Sequence, residues 1–443
     1  MRVIVEVKPD ERPVAEMAME AQFEELPMDP AKLVGAGLDA DLRFPSVVVP
    51  GAGVEDGRNM ARFALTAEPS FQPDDVTTLV RGSIPDGPDQ EAALESLNEL
   101  SSVSAVYADP AIAPFLTCGG DGPVGDAAGV AAALGAQRLN EEGFTGEGVH
   151  VAVVDSGINL DHVHAAGHGN SLDAAASFTP EGVPTSPGKH KTAHGTMCAF
   201  DVGIVAPEAT LLDHAVLLTE KTGEAPIEGL LSDAVLSFSQ LRAHLEAMPA
   251  ERKALVVNNS WGVYDPAWDF PTSHEGNYSD NPKHPFNLIV GSLAAAGADV
   301  LFAAGNCGVE CPAERCKFTE RPIGGANSHP DVISVAGIDL DNQRVGYSSQ
   351  GPGRLEKAKP DISSYTHFAG SGVKPADTGT SASTPVLAGV IAAFRSQHPA
   401  SSLSPVQLRA LLYKSATELG GLGFDYDHGW GAANPPGLRA LLP

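Results

Sequence analysis

The residues able to do chemistry in this chain are a hydroxyl, an imidazole, a carboxylate and an amide, each beside an apolar run. Ser381 lies in Gly379-Thr380-Ser381-Ala382-Ser383-Thr384-Pro385, and an almost wholly apolar stretch, Val386 to Phe394, follows. A stretch apolar all round reads as a buried helix, because no face is left for water. Pro385 fits its first turn, where a missing N–H removes no bond. Ser381 is then expected at a helix N-terminus, where the dipole and free N–H groups favour developing negative charge. Upstream, Val151-Ala152-Val153-Val154 reads as a buried strand delivering Asp155 at its C-terminal tip. His194 begins a helix start running through Phe200, and Ala298 to Ala304 is a second buried strand, ending in Gly305-Asn306. Such a set suits nucleophilic hydrolysis. A serine hydroxyl attacks poorly until a neighbouring base takes its proton, and imidazole titrates close enough to neutrality to do so. Singly, each residue reads as a cap, a turn or a core position.

The order Asp155, His194, Asn306, Ser381 resembles the subtilisin-like serine peptidases. The resemblance runs from roughly Gly146 to Asn434, where Gly429-Trp430-Gly431-Ala432-Ala433-Asn434 is similar to the family's closing segment. It implies a serine endopeptidase with Ser381 as nucleophile, His194 as base and Asp155 holding the imidazole. Asn306 would donate its amide to the oxyanion together with the Ser381 N–H. Ser260-Trp261-Gly262 corresponds to the substrate-pairing edge and primary pocket wall, with Trp261 bulkier than the Leu common there. Met197-Cys198 stands where many members carry His-Val, and both side chains are expected in the core.

Other readings lack their parts. A lipase or esterase would need Gly-x-Ser-x-Gly, and Ser383 occupies the last position. The sedolisin peptidases would place an acid where Asn306 stands. A silent binding scaffold would be missing some of the machinery, whereas a protease dedicated to one polypeptide would not. His162, His164 and His168 lie near Asp161 without a metalloprotease motif. Asp265, Asp269 and Asp280 show no calcium-ligand pattern, although the family often binds structural calcium. No metal or cofactor is required by this reading, and the expected partner is a polypeptide substrate.

Positioning such a site takes a scaffold. Apolar strands at 211–218, 255–259, 300–304 and 332–336 alternate with helical stretches at 230–248, 286–296 and 405–416. That pattern predicts an α/β fold, a doubly wound parallel sheet with helices on both faces, over residues 121–443. Sites in such sheets form outside the carboxyl ends of the strands, where Asp155 and Asn306 fall. An Ala-rich helix, 127–139, is expected at its start. Residues 1–120 are expected to form a smaller α+β unit, weakly periodic to about Gly57. It continues with a strand at 76–81, a helix at 90–100 with Ala92, Leu94 and Leu97 inward, and a strand at 103–108. Its layout resembles the inhibitory propeptides of the family, whose tail lies in the active cleft; a permanent accessory domain is the alternative. Gly119 to Gly122 reads as a linker, and a cut is expected between Ala108 and Asn140.

The formal net charge of −28 argues against nucleic acid or an anionic membrane surface as partner. No apolar run reaches the ~20 residues of a membrane helix. After Arg2, Val3-Ile4-Val5-Glu6-Val7 alternates and then meets charged residues, so no secretory signal is read and a cytoplasmic address is expected, with export by another route as the alternative. Of the five cysteines, Cys307, Cys311 and Cys316 follow Asn306 in a loop with little to bury, where one disulfide within the trio is expected, with a metal site or free thiols as the alternatives.

Overall fold

The computed structural model describes residues 1–8, 30–41, 43–45, 47–50, 76–114, 117–118, 122–218, 229–318 and 320–442. Much of the stretch expected to be weakly periodic, and most of the Gly119–Gly122 linker, lie outside these residues.

The first strands are β1 (Arg2–Val7), β2 (Asp39–Ala40), β3 (Val47–Pro50), β4 (Val76–Ser83) and β5 (Val103–Ala108). They form one antiparallel sheet with β1 between β4 and β5, so that Val5 faces Val80 on one side and Val106 on the other. The alternation noted in 3–7 is thus a central strand. Val3, Val5 and Val7 point into a small core with Leu33, Ala93 and Leu97, while Ile4 and Glu6 face the opposite way, as a period of two requires. The helix Asp89–Asn98 buries Ala93 and Leu97 and exposes Ala92, correcting the expected inward set. Residues four apart share a helix face, and Ala92 is five from Leu97.

Ten further strands follow: β6 (Ala111–Pro114), β7 (His150–Val154), β8 (Ser171–Leu172), β9 (Thr210–His214), β10 (Gly229–Leu230), β11 (Leu255–Asn259), β12 (Trp261–Gly262), β13 (Asp299–Ala303), β14 (Ile333–Ile338) and β15 (Ile362–Tyr365). Seven of them make a parallel sheet in the order β15-β14-β13-β11-β7-β9-β8. Both faces are covered. Val151 and Val153 pack with the helices His194–Gly203 and Thr380–Arg395. Ala152 and Val154 pack with the helices Leu231–Ala247 and Pro285–Ala295. This is the expected α/β sheet. The Ala-rich helix is two, Ala127–Ala133 and Ala136–Glu141, because Gly135 turns left-handed (φ 65°) between them.

β6 belongs to neither sheet. It lies antiparallel between β10 and β12, joining the chain that leaves the first sheet to two edges of the second domain. The units also share a core in which Ile4, Phe44, Leu79, Tyr107 and Ile112 meet Val216, Val235 and Trp261. Beside it, Arg81 donates to Asp233 (2.7 Å), Ser232 (3.2 Å) and Asp41 (3.1 Å). Asp109 accepts from the backbone and hydroxyl of Ser232, both at 2.8 Å.

Candidate active site

Asp155 follows the last residue of β7, and its backbone continues the sheet by donating to His214 O at 2.9 Å. Its carboxylate is wholly buried and accepts the Ser156 N–H at 2.7 Å. His194, the first residue of its helix, brings Nδ1 to 2.9 and 3.0 Å of the two carboxylate oxygens. A carboxylate only accepts, so the proton lies on Nδ1 and the Nε2 lone pair is left for a second proton. Nε2 is buried and has no partner of its own among the described residues. Gly195 N–H donates to Ser156 Oγ at 2.9 Å, tying the histidine helix to the loop that carries Asp155. A side chain at Gly195 would meet Gly157 O at 2.7 Å, so the close approach needs this glycine.

Ser381 is the second residue of a helix whose sixteen residues are all buried. Val386, Leu387, Val390, Ile391 and Phe394 are each wholly buried, at about 1.5–3 kcal/mol of burial apiece, which fixes the helix axis. The helix begins at Thr380, so Pro385 stands in its second turn rather than its first. Position 385 would ordinarily donate to the carbonyl of 381, and proline has no N–H to give. The freed Ser381 carbonyl is taken instead by Ser260 Oγ at 3.0 Å and Cys198 Sγ at 3.5 Å. Pro385 therefore exchanges a helix bond for two ties between the serine and its surroundings, a relation the motif alone did not show.

Cys198 is buried and unbridged, and its sulfur also lies 3.8 Å from Asp155 Oδ2 and 3.9 Å from His194 Nδ1. One thiol thus touches the acid, the imidazole and the serine backbone. Burial, with the Asp155 charge, pushes it well above the usual thiol range, so it packs as a small apolar group. Met197 is buried too, as expected. The Ser381 hydroxyl itself donates to Ser260 O at 3.2 Å in this structure. The structure therefore joins Asp155 to His194 directly and Ser381 to that pair through Cys198.

Asn306 follows β13 and Gly305 (φ 98°), and is wholly buried. Its Oδ1 accepts Thr380 N–H at 2.9 Å and Thr380 Oγ1 at 3.0 Å, and that fixes which way Nδ2 points. At Gly379 (φ 83°) a Cβ would stand 2.7 Å from Asn306 Nδ2 and 3.4 Å from the Ser381 nitrogen. The missing side chain leaves room for an oxygen within reach of both donors, the arrangement an oxyanion requires. Behind it, Ala313 N–H donates to Asn306 O at 2.8 Å, and a Cys307–Cys316 disulfide closes the loop, the expected clip within the trio. A second disulfide, Cys118–Cys311, was not foreseen: Cys118 is distant in sequence and gave no local signal.

Of the expected substrate edge, Ser260 meets Ser381, and Trp261 and Gly262 form β12. The Trp261 ring turns inward against Phe286 and Phe302 and is wholly buried, so the edge offers its backbone rather than an indole wall. That backbone is paired with Ala113 and Pro114. The three histidines near Asp161 do not converge: His162 contacts Ser371 O and His164 contacts Asn170 O, while the His168 ring packs tilted against Phe200. Among the described residues, the one group of donor atoms close enough for an ion is Asp155, His194 and Cys198.

Comparison with known proteins points to one family. A family model described as the subtilase family matches residues 146–431. The chain is 28 % identical to subtilisin E of Bacillus subtilis over 294 residues, which are 64 % of this chain and 65 % of that protein. It is likewise 28 % identical to a subtilisin of Bacillus pumilus, of which it covers 90 %. It is 29 % identical over 321 residues to the human membrane-bound transcription factor site-1 protease, covering 68 % of this chain and 26 % of that protein.

Proposed function

The chain belongs to the subtilase family, and on that footing we propose that it is a serine endopeptidase held in check by its own N-terminal unit. One observation carries the catalytic part: His194 is bonded to Asp155 through Nδ1, with Nε2 bare, and Cys198 Sγ reaches from that pair to the carbonyl of Ser381. In the proposed reaction Ser381 attacks a peptide carbonyl while His194 Nε2 takes its proton and then passes it to the leaving amine. Asp155 keeps the imidazole in the right tautomer and balances its charge. Asn306 Nδ2 and the Ser381 N–H receive the oxyanion. No cofactor enters these steps. The substrate is a polypeptide chain that adds as a strand to β12, giving main-chain bonds without demanding one sequence.

The inhibitory part rests on β6, which occupies the β12 edge that such a substrate would use and is paired on its other side with β10. Four of five cysteines are paired, which suits an oxidising compartment. This proposal therefore favours export over the cytoplasmic address expected from the sequence.

The test is labelling by a fluorophosphonate together with hydrolysis of a generic protein substrate. Wild type freed of its N-terminal unit should do both. Ser381→Ala and His194→Ala should each lose activity by several orders of magnitude, since the residues act as a unit. Equal labelling of wild type and Ser381→Ala would end the assignment.

A further inference from the structure

The helix that begins with His194 carries a second carboxyl that the proposed reaction does not use. His194, Cys198 and Asp201 are four and then three residues apart, so they share one helix face. That face meets the segment leading into the serine helix. Cys198 Sγ reaches the Ser381 carbonyl at 3.5 Å. One turn further on, Asp201 meets Asp377, four residues before Ser381, carboxyl to carboxyl within hydrogen-bonding reach. Both side chains are wholly buried. Asp377 has donors of its own, the Ser371 N–H and hydroxyl, each at 2.5 Å. Among the described residues no donor reaches either oxygen of Asp201. The loop also closes tightly over the pair: a Cβ at Gly370 would stand 2.2 Å from Asp377 Oδ2. An ionised Asp201 would thus be a buried charge with no donor, facing a second charge. Two carboxyls so placed hold one proton between them. The donors decide where it sits: Asp377 is already served by Ser371, so Asp201 keeps the proton and donates.

We propose that Asp201 is a positioning residue: it keeps its proton, donates it to Asp377, and so holds the histidine helix against the segment that leads into Ser381. The inference rests on the endopeptidase reading above. Base and nucleophile stand on separate elements, and their spacing decides how well a proton crosses between them. Cys198 offers only a weak sulfur contact across that gap, and the carboxyl pair adds a strong, charge-assisted bond. The bond has an alkaline limit. Burial, with the neighbouring carboxyl, pushes Asp201 well above the usual carboxylate range. The bond therefore persists through neutral pH and is lost as pH rises through that raised value, leaving two buried charges that repel. The groups around the pair do not replace it. Lys374, in the loop before Asp377, is the cation that bears on Asp377. Cys198 is held as a thiol by burial and by Asp155. His162, on the helix Leu160–Ala165, borders the pair through Ser371 O. Arg395, at the far end of the serine helix, is tied to Asp299.

The experiment compares wild type, Asp201→Asn and Asp201→Val, each expressed as the full chain and left to mature before assay. Infrared difference spectra of wild type against Asp201→Asn are taken at pH about 8, where an ordinary carboxyl is ionised. Wild type should show one carboxylic-acid C=O stretch that the variant lacks, a readout independent of activity. The rate of labelling by a small fluorophosphonate is then followed from about pH 6 to about pH 11. In wild type it should rise as His194 loses its proton and fall by about tenfold or more on the alkaline side. Asp201→Asn keeps a donor that cannot ionise, so it should match wild type within about threefold near neutrality and lose the alkaline fall. Asp201→Val has no donor and should be slower by about tenfold or more at every pH. If Asp201→Val does not fold, the other two chains decide. An alkaline fall as large in Asp201→Asn as in wild type overturns the proposal, as does a spectrum that loses no band. Labelling of wild type and Asp201→Val at equal rates also overturns it, while sparing the endopeptidase reading. No labelling of any chain, wild type included, overturns both.

Discussion

β7 and β1 are both central strands, and they are held in place by different means. β7 is buried on both faces by apolar side chains, Val151 and Val153 on one side and Ala152 and Val154 on the other. β1 buries Val3, Val5 and Val7 in its own small core, but on its other face Glu6 bonds Thr77 (2.6 Å) and Tyr107 (3.1 Å). Next to that face the units are joined by Arg81, Asp109, Ser232 and Asp233 as well as by apolar contact. Taking charges out of water costs much of what their pairing returns, so a charged joint adds little net stability. An apolar core buried on both faces has no such offset. The difference separates a scaffold that must hold Asp155 and Asn306 still from the unit proposed above to hold the enzyme in check.

The sharpest test on the scaffold side is Asn306. Asn306→Ala should lower turnover by about 10²–10³ with little change in KM, a magnitude taken from a member of this family rather than from this structure. Asn306→Asp retains the acceptor for Thr380 and removes the donor, so it should fall nearly as far. If Asn306→Asp kept activity, the residue would position Thr380 and not the oxyanion. Arg81→Met tests the other side. It leaves Asp233 and Asp109 buried without their cation, a change that costs roughly 3–5 kcal/mol where such a pair is broken. In full-length Ser381→Ala protein, amide exchange in β1 and β4 should quicken by about 10²-fold or more, at ~1.4 kcal/mol per decade, while β7 stays protected. Equal acceleration in both sheets would mean that the two regions unfold together and the contrast is wrong.

How far the site was legible follows the same division. Asp155, His194, Asn306 and Ser381 were readable because each sits where a strong local pattern ends, a β-branched run or a helix start. The parallel sheet was readable because strands buried on both faces are almost continuously apolar. Relations that depend on tertiary approach were not. Nothing near Pro385 announces that its missing N–H hands the Ser381 carbonyl to Ser260 and Cys198. The inward Trp261 ring depends on which face of a two-residue strand meets the core. Cys118 finds Cys311 across 193 residues. β1 is the one element within reach: the alternation at 3–7 carried a strand signal, but its partners lay some 70 and 100 residues away.

The smallest effect expected concerns pH at the joint, where two buried groups oppose each other. Burial pushes the Asp109 carboxyl up to about 6, against the pull of Arg81. The docked unit therefore keeps that proton where the separated unit has lost it, and docking weakens as pH rises from about 4 to about 6. His284 contacts Ala108 O through Nε2 (3.0 Å), and burial holds its imidazole down to about 4. The separated unit would protonate it near its ordinary value, so docking strengthens as pH rises from about 4 to about 6.5. The two slopes have opposite sign over nearly one window and largely cancel in the wild type. Each is bounded by about 3 kcal/mol, from roughly two pKa units at ~1.4 kcal/mol apiece. Removing one should expose the other. In the Ser381→Ala background, Asp109→Asn should make β1 exchange slow by about tenfold as pH is raised from 4 to 6, after correction for intrinsic amide exchange. His284→Gln, which keeps a donor for Ala108 O, should make it quicken by a similar factor. Two variants with slopes of the same sign would show that neither group reports on docking, and that the joint is held by its apolar contacts alone.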